Sequence, residues 1–410
     1  MMRNRQASLL FIFITALIDI IGVGIIIPIV PTLITQLTGL GLSEAAEYGG
    51  WLMASYAIMQ FLFAPVLGSL SDKFGRRPIL FIALFGLGAD YLFQAYAPSI
   101  AWLFVGRLLA GLCGASITVA TAYVSDISTS VTKAKNFGIL GAAFGLGFII
   151  GPVMGGLAAA EWGVKAPFFI AAALSFANLL FGLLILPESL PKNNRRNFSL
   201  KNANPLGSLL HLKKYPLLGG LIFSLFLIHM AGQSLPATWV YFTELQFHWD
   251  EKMVGLSLGA VGVLVTIAQA VLVGWSVKKY GNKKTIIIGM TLWTFGLVCF
   301  ALSGNTLAIF LSIIPYCLGG IAGPTLQGII SNQVPDNEQG ELQGSITSII
   351  SLTTILSPLI MTWIFAYFTS NRTSLYLPGA PYLLAACFML IGFILAVKTL
   401  NRNKELIQEA

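Results

Sequence analysis

Three side chains that carry a charge at neutral pH lie well inside stretches of sequence that are otherwise apolar: Asp19, Asp90 and Arg107. A charge in the middle of an apolar span costs roughly 2.5 kcal/mol or more, so such residues usually serve a function. A carboxyl group that takes up and releases a proton as its exposure changes can couple proton flow to transport. Arg107 keeps its charge and needs a partner, for which Asp19 is the candidate. The structural alternative is that these groups only hydrogen-bond neighbouring helices.

A charged turn between two apolar stretches, GSLSDKFGRRP at 68–78, contains a second group of candidates. Its glycines permit close packing and a change of chain direction, whereas its acid and arginines can form ion pairs that break at low cost. Asp126, at the end of a later apolar stretch, is the candidate partner acid. The sequence therefore predicts a conformational switch made of Gly68, Asp72, Gly75, Arg76, Arg77 and Asp126. The alternative is a loop whose charge only sets the topology.

A weaker copy of this turn, GWSVKKYGNKK at 274–284, occurs about half a chain length later. When Gly281 is aligned with Gly75, Lys278 takes the place of Asp72, so the copy lacks the acid. Two halves of parallel topology are typical of one large class of secondary transporters. We predict an asymmetric switch, in which the first turn holds the outward-facing state and the second mainly sets topology.

The composition indicates that these residues are positioned by membrane-spanning helices. Of 410 residues, 56% are hydrophobic and 10% charged, and the mean hydropathy is +0.81, whereas soluble domains contain roughly 25% charged residues. Segments long enough to span a bilayer, at roughly 20 residues each, recur along the chain. We predict an all-α membrane protein with twelve spans: 7–35, 48–70, 78–97, 100–123, 137–160, 166–186, 216–243, 252–277, 285–303, 306–330, 342–368 and 379–399.

The net charge of +8 does not indicate a nucleic-acid partner, because most of the 24 Lys and Arg residues lie in alternate loops. By the positive-inside rule, this distribution predicts that both termini are cytoplasmic. The first apolar run is too long for the core of a signal peptide, so we expect it to be a retained helix. The longest polar stretch, 187–215, is the predicted linker between an N-terminal six-helix bundle at 1–186 and a C-terminal bundle at 216–410.

The apolar spans of the second half contain fewer ionisable groups than those of the first. Four residues, one in the first half and three in the second, are candidates for binding a substrate in a central cavity: Gln60, His229, Gln233 and Gln269. Hydrogen bonding between helices is the structural alternative for each of them. The fifth span contains a run of small residues with a proline that predicts close helix packing and a bend: Gly147, Gly151, Pro152, Gly155 and Gly156. The stripe of Arg107, Gly111, Gly114 and Thr118 on one helix face predicts either a close helix contact or a cavity wall.

Several site types lack a signature in this chain. The four cysteines are scattered singly, which favours neither a disulfide nor a metal site. No G-x-x-x-x-G-K-[ST] run, zinc motif or nucleophile elbow occurs. We therefore predict a protein that is not an enzyme, needs no cofactor or metal, and takes its energy from an ion gradient.

The motifs resemble a known family. GSLSDKFGRRP resembles the loop 2–3 signature of the major facilitator superfamily, GRLLAGLCGA its helix 4 arginine motif, and GFIIGPVMGG its helix 5 antiporter motif. The stretches LIDIIGVGIIIPIVPTL, AIMQFLFAPVLG, GQSLPATWVYFTE and EQGELQG resemble the tetracycline/proton antiporters. The resemblance implies two six-helix bundles, export of a tetracycline chelated to a divalent cation, and roles for Asp19, Asp90 and Arg107 in handling protons and substrate.

The chain departs from that family at two positions in its second half. Val265 stands where those pumps carry a histidine in helix 8, and Thr294 stands where they carry an aspartate in helix 9. We therefore expect the proton site in the first half, and an inner-membrane monomer that exports an amphipathic, tetracycline-like molecule in exchange for protons. The alternatives are a proton-coupled transporter of a metabolite such as a siderophore or sugar, and a receptor or scaffold that transports nothing.

Overall fold

The computed structural model describes residues 2–114, 116–129, 132–195, 215, 218–335, 338–370 and 372–402, and these residues contain helices and no strand. The α-helices are Met2–Ile26, Val30–Thr38, Leu42–Phe74, Arg76–Ala95, Ile100–Cys113, Ser116–Ile127, Lys133–Trp162, Ala166–Ile185, Gly219–Gly232, Ser234–Phe247, Glu251–Ile267, Val273–Leu302, Thr306–Gly319, Ala322–Asn332, Gln339–Thr369 and Ala380–Arg402. The all-α prediction is confirmed.

Eleven helical stretches of the described chain are long and apolar enough to cross a membrane. One of them, Glu251–Leu302, has 52 residues and would be about 78 Å long as a straight helix, more than twice the thickness of a bilayer core. Gly281, at φ 78° and ψ 164°, interrupts it. The stretch is therefore two spans, and the predicted total of twelve is confirmed.

The spans are numbered 1 to 12 in chain order: Ser8–Thr38, Leu42–Phe74, Arg76–Ala95, Ile100–Ile127, Lys135–Trp162, Ala166–Ile185, Gly219–Phe247, 251–280, 282–302, Thr306–Asn332, Glu341–Thr369 and Ala380–Arg402. Span 1 bends at the 3-10 turn Ile27–Ile29, which contains Pro28. Proline removes a backbone donor and crowds the preceding turn, so a bend at this position follows from the sequence. Span 8 contains a π-helical turn, Ala268–Leu272.

Two compact units make up the structure. Unit 1 consists of Met1–Leu40, Ser55–Asn204 and Asp250–Gly259, and unit 2 of Gly41–Ala54, Pro205–Trp249 and Ala260–Ala410. Residues 196–214 of the predicted linker lie outside the described residues. The predicted boundaries at 186 and 216 therefore stay a prediction.

Unit 1 is built around span 1, which packs along span 5 and also contacts span 6. A buried apolar layer that includes Phe11, Leu80, Tyr123 and Leu140 joins spans 1, 3, 4 and 5. Phe11 precedes Asp19 on span 1 by two helical turns, and Leu80 follows the Gly75 turn by about one. The apolar layer therefore separates the buried carboxyl of Asp19 from the charged turn.

Unit 2 has an interior dominated by aromatic rings. Phe300 lies at its centre, with ring centroids 5.1 Å from Trp239, 5.0 Å from Tyr316 and 5.6 Å from Tyr382. The Trp239 and Tyr382 side chains are fully buried. Aromatic pairs at these separations add about 0.5–1.5 kcal/mol each to the energy of area burial, so this cluster stabilises a fixed arrangement of spans 7, 9, 10 and 12.

Candidate functional site

The two aspartates singled out in the first half are both buried in unit 1. Asp19 is 6% exposed and Asp90 is 3% exposed. Asp19 lines a small pocket of about 20 Å³ together with Arg107, Tyr56, Tyr91 and other residues of spans 1 to 4. Sites for drug-sized ligands are roughly 300–1,000 Å³. The Asp19 pocket therefore has the size of a site for a proton or one water molecule and is far too small for an organic substrate.

Each aspartate has one partnered and one unpartnered carboxyl oxygen. Ser116 Oγ donates to Asp19 Oδ2 at 2.6 Å, and Gln94 Nε2 donates to Asp90 Oδ2. The Oδ1 atoms of Asp19 and Asp90 are buried and accept no hydrogen bond. An ionised carboxylate with an unsatisfied oxygen is expensive to bury, whereas the neutral acid loses less solvation. The two sites are therefore suited to holding a proton.

Arg107 reaches the Asp19 pocket without forming the predicted ion pair with Asp19. Its guanidinium lies over the Tyr56 ring, 5.9 Å from the centroid, and it lines the same pocket as Asp19. No ion pair joins the two side chains, so the direct pairing predicted from the sequence is wrong. Span 4 brings Arg107 beside the pocket, but Ser116 and not Arg107 occupies the hydrogen-bonding position on Asp19.

The stripe on span 4 forms both a close contact and a cavity wall. A Cβ on Gly111 would lie 2.7 Å from Met59 Cβ on span 2, so this position requires glycine for close packing. Gly114 lines the Asp19 pocket. Of the two possibilities that the sequence left open, the close helix contact therefore applies to Gly111 and the cavity wall to Gly114.

The glycines of span 5 form a seam against span 1, the helix that carries Asp19. A Cβ on Gly147 would lie 2.6 Å from Ile20 Cβ, and one on Gly151 would lie 2.9 Å from both Gly24 Cα and Ile21 O. Gly155 faces the backbone of Ile25 in the same way. Small residues at every fourth position let the two backbones touch, which confirms the close packing predicted for this run.

The neighbouring face of span 5, about 100° around the helix from that seam, packs on the first turns of span 8. A Cβ on Gly156 would lie 3.2 Å from Gly255 Cα, and one on Gly255 would lie 3.3 Å from the carbonyl carbon of Pro152. Glu251, at the start of span 8, accepts a hydrogen bond from Thr32 Oγ1 at 2.8 Å. All the residues of the predicted antiporter motif thus lie at helix–helix contacts of unit 1.

Two of the predicted switch residues, Asp72 and Asp126, come together at Arg76, which is buried. Its Nη1 lies 2.7 Å from Asp72 Oδ1, and its Nε donates to Asp126 Oδ2 at 3.0 Å. Ser71 Oγ accepts a further bond from Arg76 Nη1 at 2.6 Å. A planar guanidinium with five donors suits such a site, whereas a lysine would satisfy fewer acceptors. The pairing of the arginine with Asp126 is as predicted; its role as a switch stays a prediction.

The turn itself requires glycine. Gly75 has φ 104° and ψ 158°, a conformation that is essentially restricted to glycine. A Cβ at this position would also lie 2.9 Å from the carboxyl carbon of Glu188. Gly68, by contrast, makes only an ordinary contact, at 3.6 Å from Thr118 Cγ2.

Glu188 also belongs to this cluster, although its place in the polar stretch 187–215 predicts only a linker residue. Its two carboxyl oxygens accept from the backbone N–H groups of Arg76 at 2.8 Å and Arg77 at 3.2 Å. A carboxylate in this position stabilises the N-terminus of span 3 through the helix dipole. The available signal was an acid directly after span 6 in an otherwise basic stretch. Ser189 adds a bond to Asp126 Oδ2 at 3.0 Å.

The second copy of the turn keeps the backbone and loses the acids. Gly281 has φ 78° and ψ 164°, and a Cβ there would meet nothing within 4 Å. Lys283, which aligns with Arg77, donates to Asn401 Oδ1 at 2.5 Å near the end of span 12. Among the described residues, no acid forms an ion pair with the basic residues of this turn.

The four predicted substrate contacts lie in different units and surroundings. In unit 1, Gln60 Nε2 donates to Gly114 O at 3.3 Å, at the edge of the Asp19 pocket. In unit 2, Gln233 Nε2 donates to Thr354 Oγ1 at 3.3 Å, and His229 is half-buried one turn earlier on span 7. Gln269 is exposed within the π-helical turn of span 8. Binding of a substrate by these residues stays a prediction.

Three further residues of the acid pocket went unnoticed in the sequence: Tyr56, Tyr91 and Ser116. Tyr56 lies one helical turn before Gln60 and on the same face, which was the only signal for it. Ser116 follows the glycines of span 4 but lies outside the predicted stripe, so its position gave no signal. Thr294, on span 9, donates its hydroxyl to the backbone oxygen of Met290 at 2.8 Å and so makes a local helical bond.

Comparison with known proteins gives consistent matches over the whole chain. The model of the Major Facilitator Superfamily matches residues 12–268 and 221–409. The tetracycline resistance protein, class C, of Escherichia coli is 40% identical over 91% of this chain and 93% of its own length. The class H protein of Pasteurella multocida is 36% identical over 88% and 89%.

A solved structure with a similar fold is a bacterial homologue of the human lysosomal transporter Spinster, in an inward-facing and occupied conformation. It superposes with a TM-score of 0.81 over 98% of both chains, at 14% sequence identity. At that identity the similarity concerns the fold alone. It supports the all-helical fold described above.

Proposed function

Because this chain belongs to the Major Facilitator Superfamily, whose members are membrane transporters, we propose that it is a proton-coupled exporter of an amphipathic, tetracycline-like small molecule. The proposal assigns it to the bacterial inner membrane, with both termini cytoplasmic. Its partners are the small molecule, protons and the bilayer, and it acts as a monomer without a cofactor. The resistance proteins at 34–40% identity support the choice of cargo.

The observation that carries the proposal is the buried pair of aspartates in unit 1. Asp19 and Asp90 each keep one carboxyl oxygen without a donor, and Arg107 supplies a fixed positive charge at the Asp19 pocket. Proton uptake removes the cost of burying the charge, and proton loss requires access to water. Alternating access of the site to the two sides of the membrane then couples the proton to transport.

The seam between spans 1 and 5 explains how the proton site is coupled to movement in this proposal. Asp19 lies on span 1, and span 5 touches the same helix through Gly147, Gly151 and Gly155. Two backbones in contact move together or slide as rigid helices, since no side chains lie between them to absorb a shift. A change in the position of span 5 is therefore transmitted to the surroundings of Asp19.

The test uses everted membrane vesicles with an imposed proton gradient. Asp19→Asn should abolish concentrative uptake of the drug and drug-induced proton movement, because the amide cannot carry a proton. It should retain exchange of labelled for unlabelled drug without a gradient, which shows that the protein is folded. Asp250→Asn is the matched control, because Asp250 is an exposed acid whose capping bond to Met253 N an asparagine can replace. Full gradient-driven uptake by Asp19→Asn would refute the proposal.

The cargo is tested separately with a susceptibility panel in a host that lacks its own pumps. Thr294 donates its hydroxyl to the backbone oxygen of Met290 on the same helix and has no carboxylate for a cation, so we propose that export proceeds without dependence on a divalent cation bound in span 9. Expression should raise resistance to tetracycline, and the Thr294→Ala variant should keep that resistance. No change in resistance to any drug would favour the metabolite transporter instead.

A further inference from the structure

We propose that the end of span 12 in unit 2 binds an anionic phospholipid, with the phosphate at a group of basic residues and one acyl chain in the adjoining groove. The groove has a volume of about 600 Å³ and is lined by Phe393, Ile394, Val397, Lys398, Asn401 and Arg402. The site is separate from the acid pocket and does not depend on the proposed function.

The lining residues occupy one face of a single helix and change in character along it. Positions 393, 394 and 397 are apolar, whereas positions 398, 401 and 402 are polar or basic. Their spacing of one and four residues places them in a continuous stripe. A helix face that is apolar along its length and basic at its end matches the two parts of a phospholipid, an acyl chain and a charged headgroup.

A third base reaches the polar end of this groove from span 9. Lys283 Nζ lies 2.5 Å from Asn401 Oδ1, so Lys283 joins Lys398 and Arg402, which are exposed on span 12. Among the residues that the structure describes, none of these three bases forms an ion pair with an acid. The group therefore has positive charge that an anionic partner can neutralise.

The corresponding place in unit 1 contains its own acid. There Arg77, which aligns with Lys283, donates to Leu183 O near the end of span 6, and Glu188 accepts from the Arg77 backbone. In unit 2, Lys283 contacts the side-chain amide of Asn401. Two further bases, Lys398 and Arg402, lie beside that contact. The two units thus share the contact between the turn and the end of a span, but within the described part of the chain the turn of unit 1 has a base paired with acids, whereas the bases at this place in unit 2 lack a paired acid.

Aromatic residues beside the second turn indicate the level of the membrane surface. Trp275 is 51% exposed and Tyr280 is 38% exposed, and Lys279 Nζ lies 4.8 Å from the centre of the Trp275 ring. Trp, Tyr and Lys in such a group are typical of the boundary between acyl chains and headgroups. The Gly281 turn that follows places Lys283 at the same boundary, which is where a lipid phosphate lies.

Native mass spectrometry of the full-length protein in neutral detergent tests the site. The probes are phosphatidylglycerol and phosphatidylcholine with identical acyl chains. Wild-type protein should bind phosphatidylglycerol at least about tenfold more tightly, because each base near a lipid surface contributes on the order of a factor of five. The double variant Lys398→Gln/Arg402→Gln keeps only Lys283 of the three bases and should lose most of the preference for phosphatidylglycerol.

Two further variants make the result specific. Lys133→Gln/Lys135→Gln removes the same charge from exposed positions at the N-terminal end of the span 5 helix and should bind phosphatidylglycerol like the wild type. Ile394→Trp keeps every charge and fills the groove, so it should weaken phosphatidylglycerol binding several-fold. Soluble glycerol phosphate should not compete. Equal binding of the two lipids by wild-type protein, unchanged binding by Lys398→Gln/Arg402→Gln, or an equal loss in the Lys133/Lys135 control would overturn the proposal.

Discussion

The turns at Gly75 and Gly281 share a backbone conformation, yet their side chains meet different surroundings. Both glycines have a positive φ with ψ near 160°, a region that other residues rarely adopt. Around Gly75 lie Asp72, Asp126 and Glu188, all bonded to Arg76. Around Gly281 the described contacts are between bases, aromatic rings and an amide. A repeat can therefore preserve a backbone requirement while its chemistry diverges.

The interiors of the two units also differ in chemistry, because acids are buried in unit 1 and aromatic rings in unit 2. Unit 1 buries Asp19 and Asp90 with incomplete hydrogen bonding, whereas unit 2 buries a cluster of rings around Phe300. Incompletely bonded acids are poised to change protonation, but a packed aromatic cluster has no such second state. In our proposal, unit 1 responds to protons and unit 2 provides a rigid counterpart.

The largest predicted effect concerns the two turn glycines. Gly75→Ala combines an unfavourable backbone conformation, at about 1–3 kcal/mol, with a clash against the Glu188 carboxyl group. Gly281→Ala incurs the backbone cost alone, because its Cβ would enter open space. Thermal unfolding in detergent should show the greater loss of stability for Gly75→Ala. Equal losses would mean that Glu188 moves aside freely and that the first turn is no more constrained than the second.

A somewhat smaller effect is expected from the side chains that follow these glycines. Arg76→Ala should cost about 2–3 kcal/mol, because it leaves Asp72 and Asp126 without their partner in a partly buried site. Asn282→Ala, at the aligned position, should cost less than about 0.5 kcal/mol. Chemical denaturation of both variants, with the Arg76→Ala/Asp126→Ala double variant to isolate the coupling, measures the difference. An additive double variant would contradict the Arg76–Asp126 bond.

Helix seams in the two units should also differ in their tolerance of a methyl group. Gly151→Ala places a Cβ 2.9 Å from Gly24 Cα, whereas Gly392→Ala places one 3.4 Å from Leu227 Cβ in unit 2. The first change should cost about 1–2 kcal/mol by overpacking and reduce drug exchange, and the second should be close to neutral. Melting temperatures and exchange rates of the two variants check this. A neutral Gly151→Ala would show that spans 1 and 5 separate easily.

The smallest predicted effect introduces into unit 2 the acid that it lacks. Asn401→Asp places a carboxylate beside Lys283 and should stabilise the protein by about 0.3–1 kcal/mol, the usual range for an exposed ion pair. The gain should disappear in high salt, because screening weakens exposed pairs. Lys283→Gln in the Asn401→Asp background is the control. A gain that persists in that double variant would have a cause other than the new pair.

Hydropathy and local geometry made much of this protein predictable. Twelve spans, the bend of span 1 at Pro28 and the turns at Gly75 and Gly281 follow from apolar run lengths and from backbone restrictions on single residues. The bond between Arg76 and Asp126 was also predictable, because both lie at the ends of their spans. These features are set by local sequence and need few contacts between residues that are far apart in the chain.

Other features depended on how the helices rotate about their axes. Sequence reasoning paired Arg107 with Asp19, but the rotation of spans 1 and 4 brings Ser116 to the carboxyl group and lays Arg107 over Tyr56. Glu188 lies in the predicted linker, and only the packing of the end of span 6 beside the Gly75 turn brings it to Arg76. The spacing of residues determines which of them share a helix face, but it does not determine which other helix that face contacts.

The sequence by itself determined that the chain crosses a membrane repeatedly, that it is built from a repeat, and that its buried acids lie in the first half. These properties follow from composition, from glycine at the two positive-φ turns, and from the cost of a charge in an apolar span. Only the tertiary structure decided which oxygen of Asp19 has a donor, that Glu188 completes the cluster around Arg76, and that the bases at the end of span 12 lack an acid among the described residues. Such contacts bring together residues far apart in the chain, and their geometry is set by helix packing that no local pattern encodes.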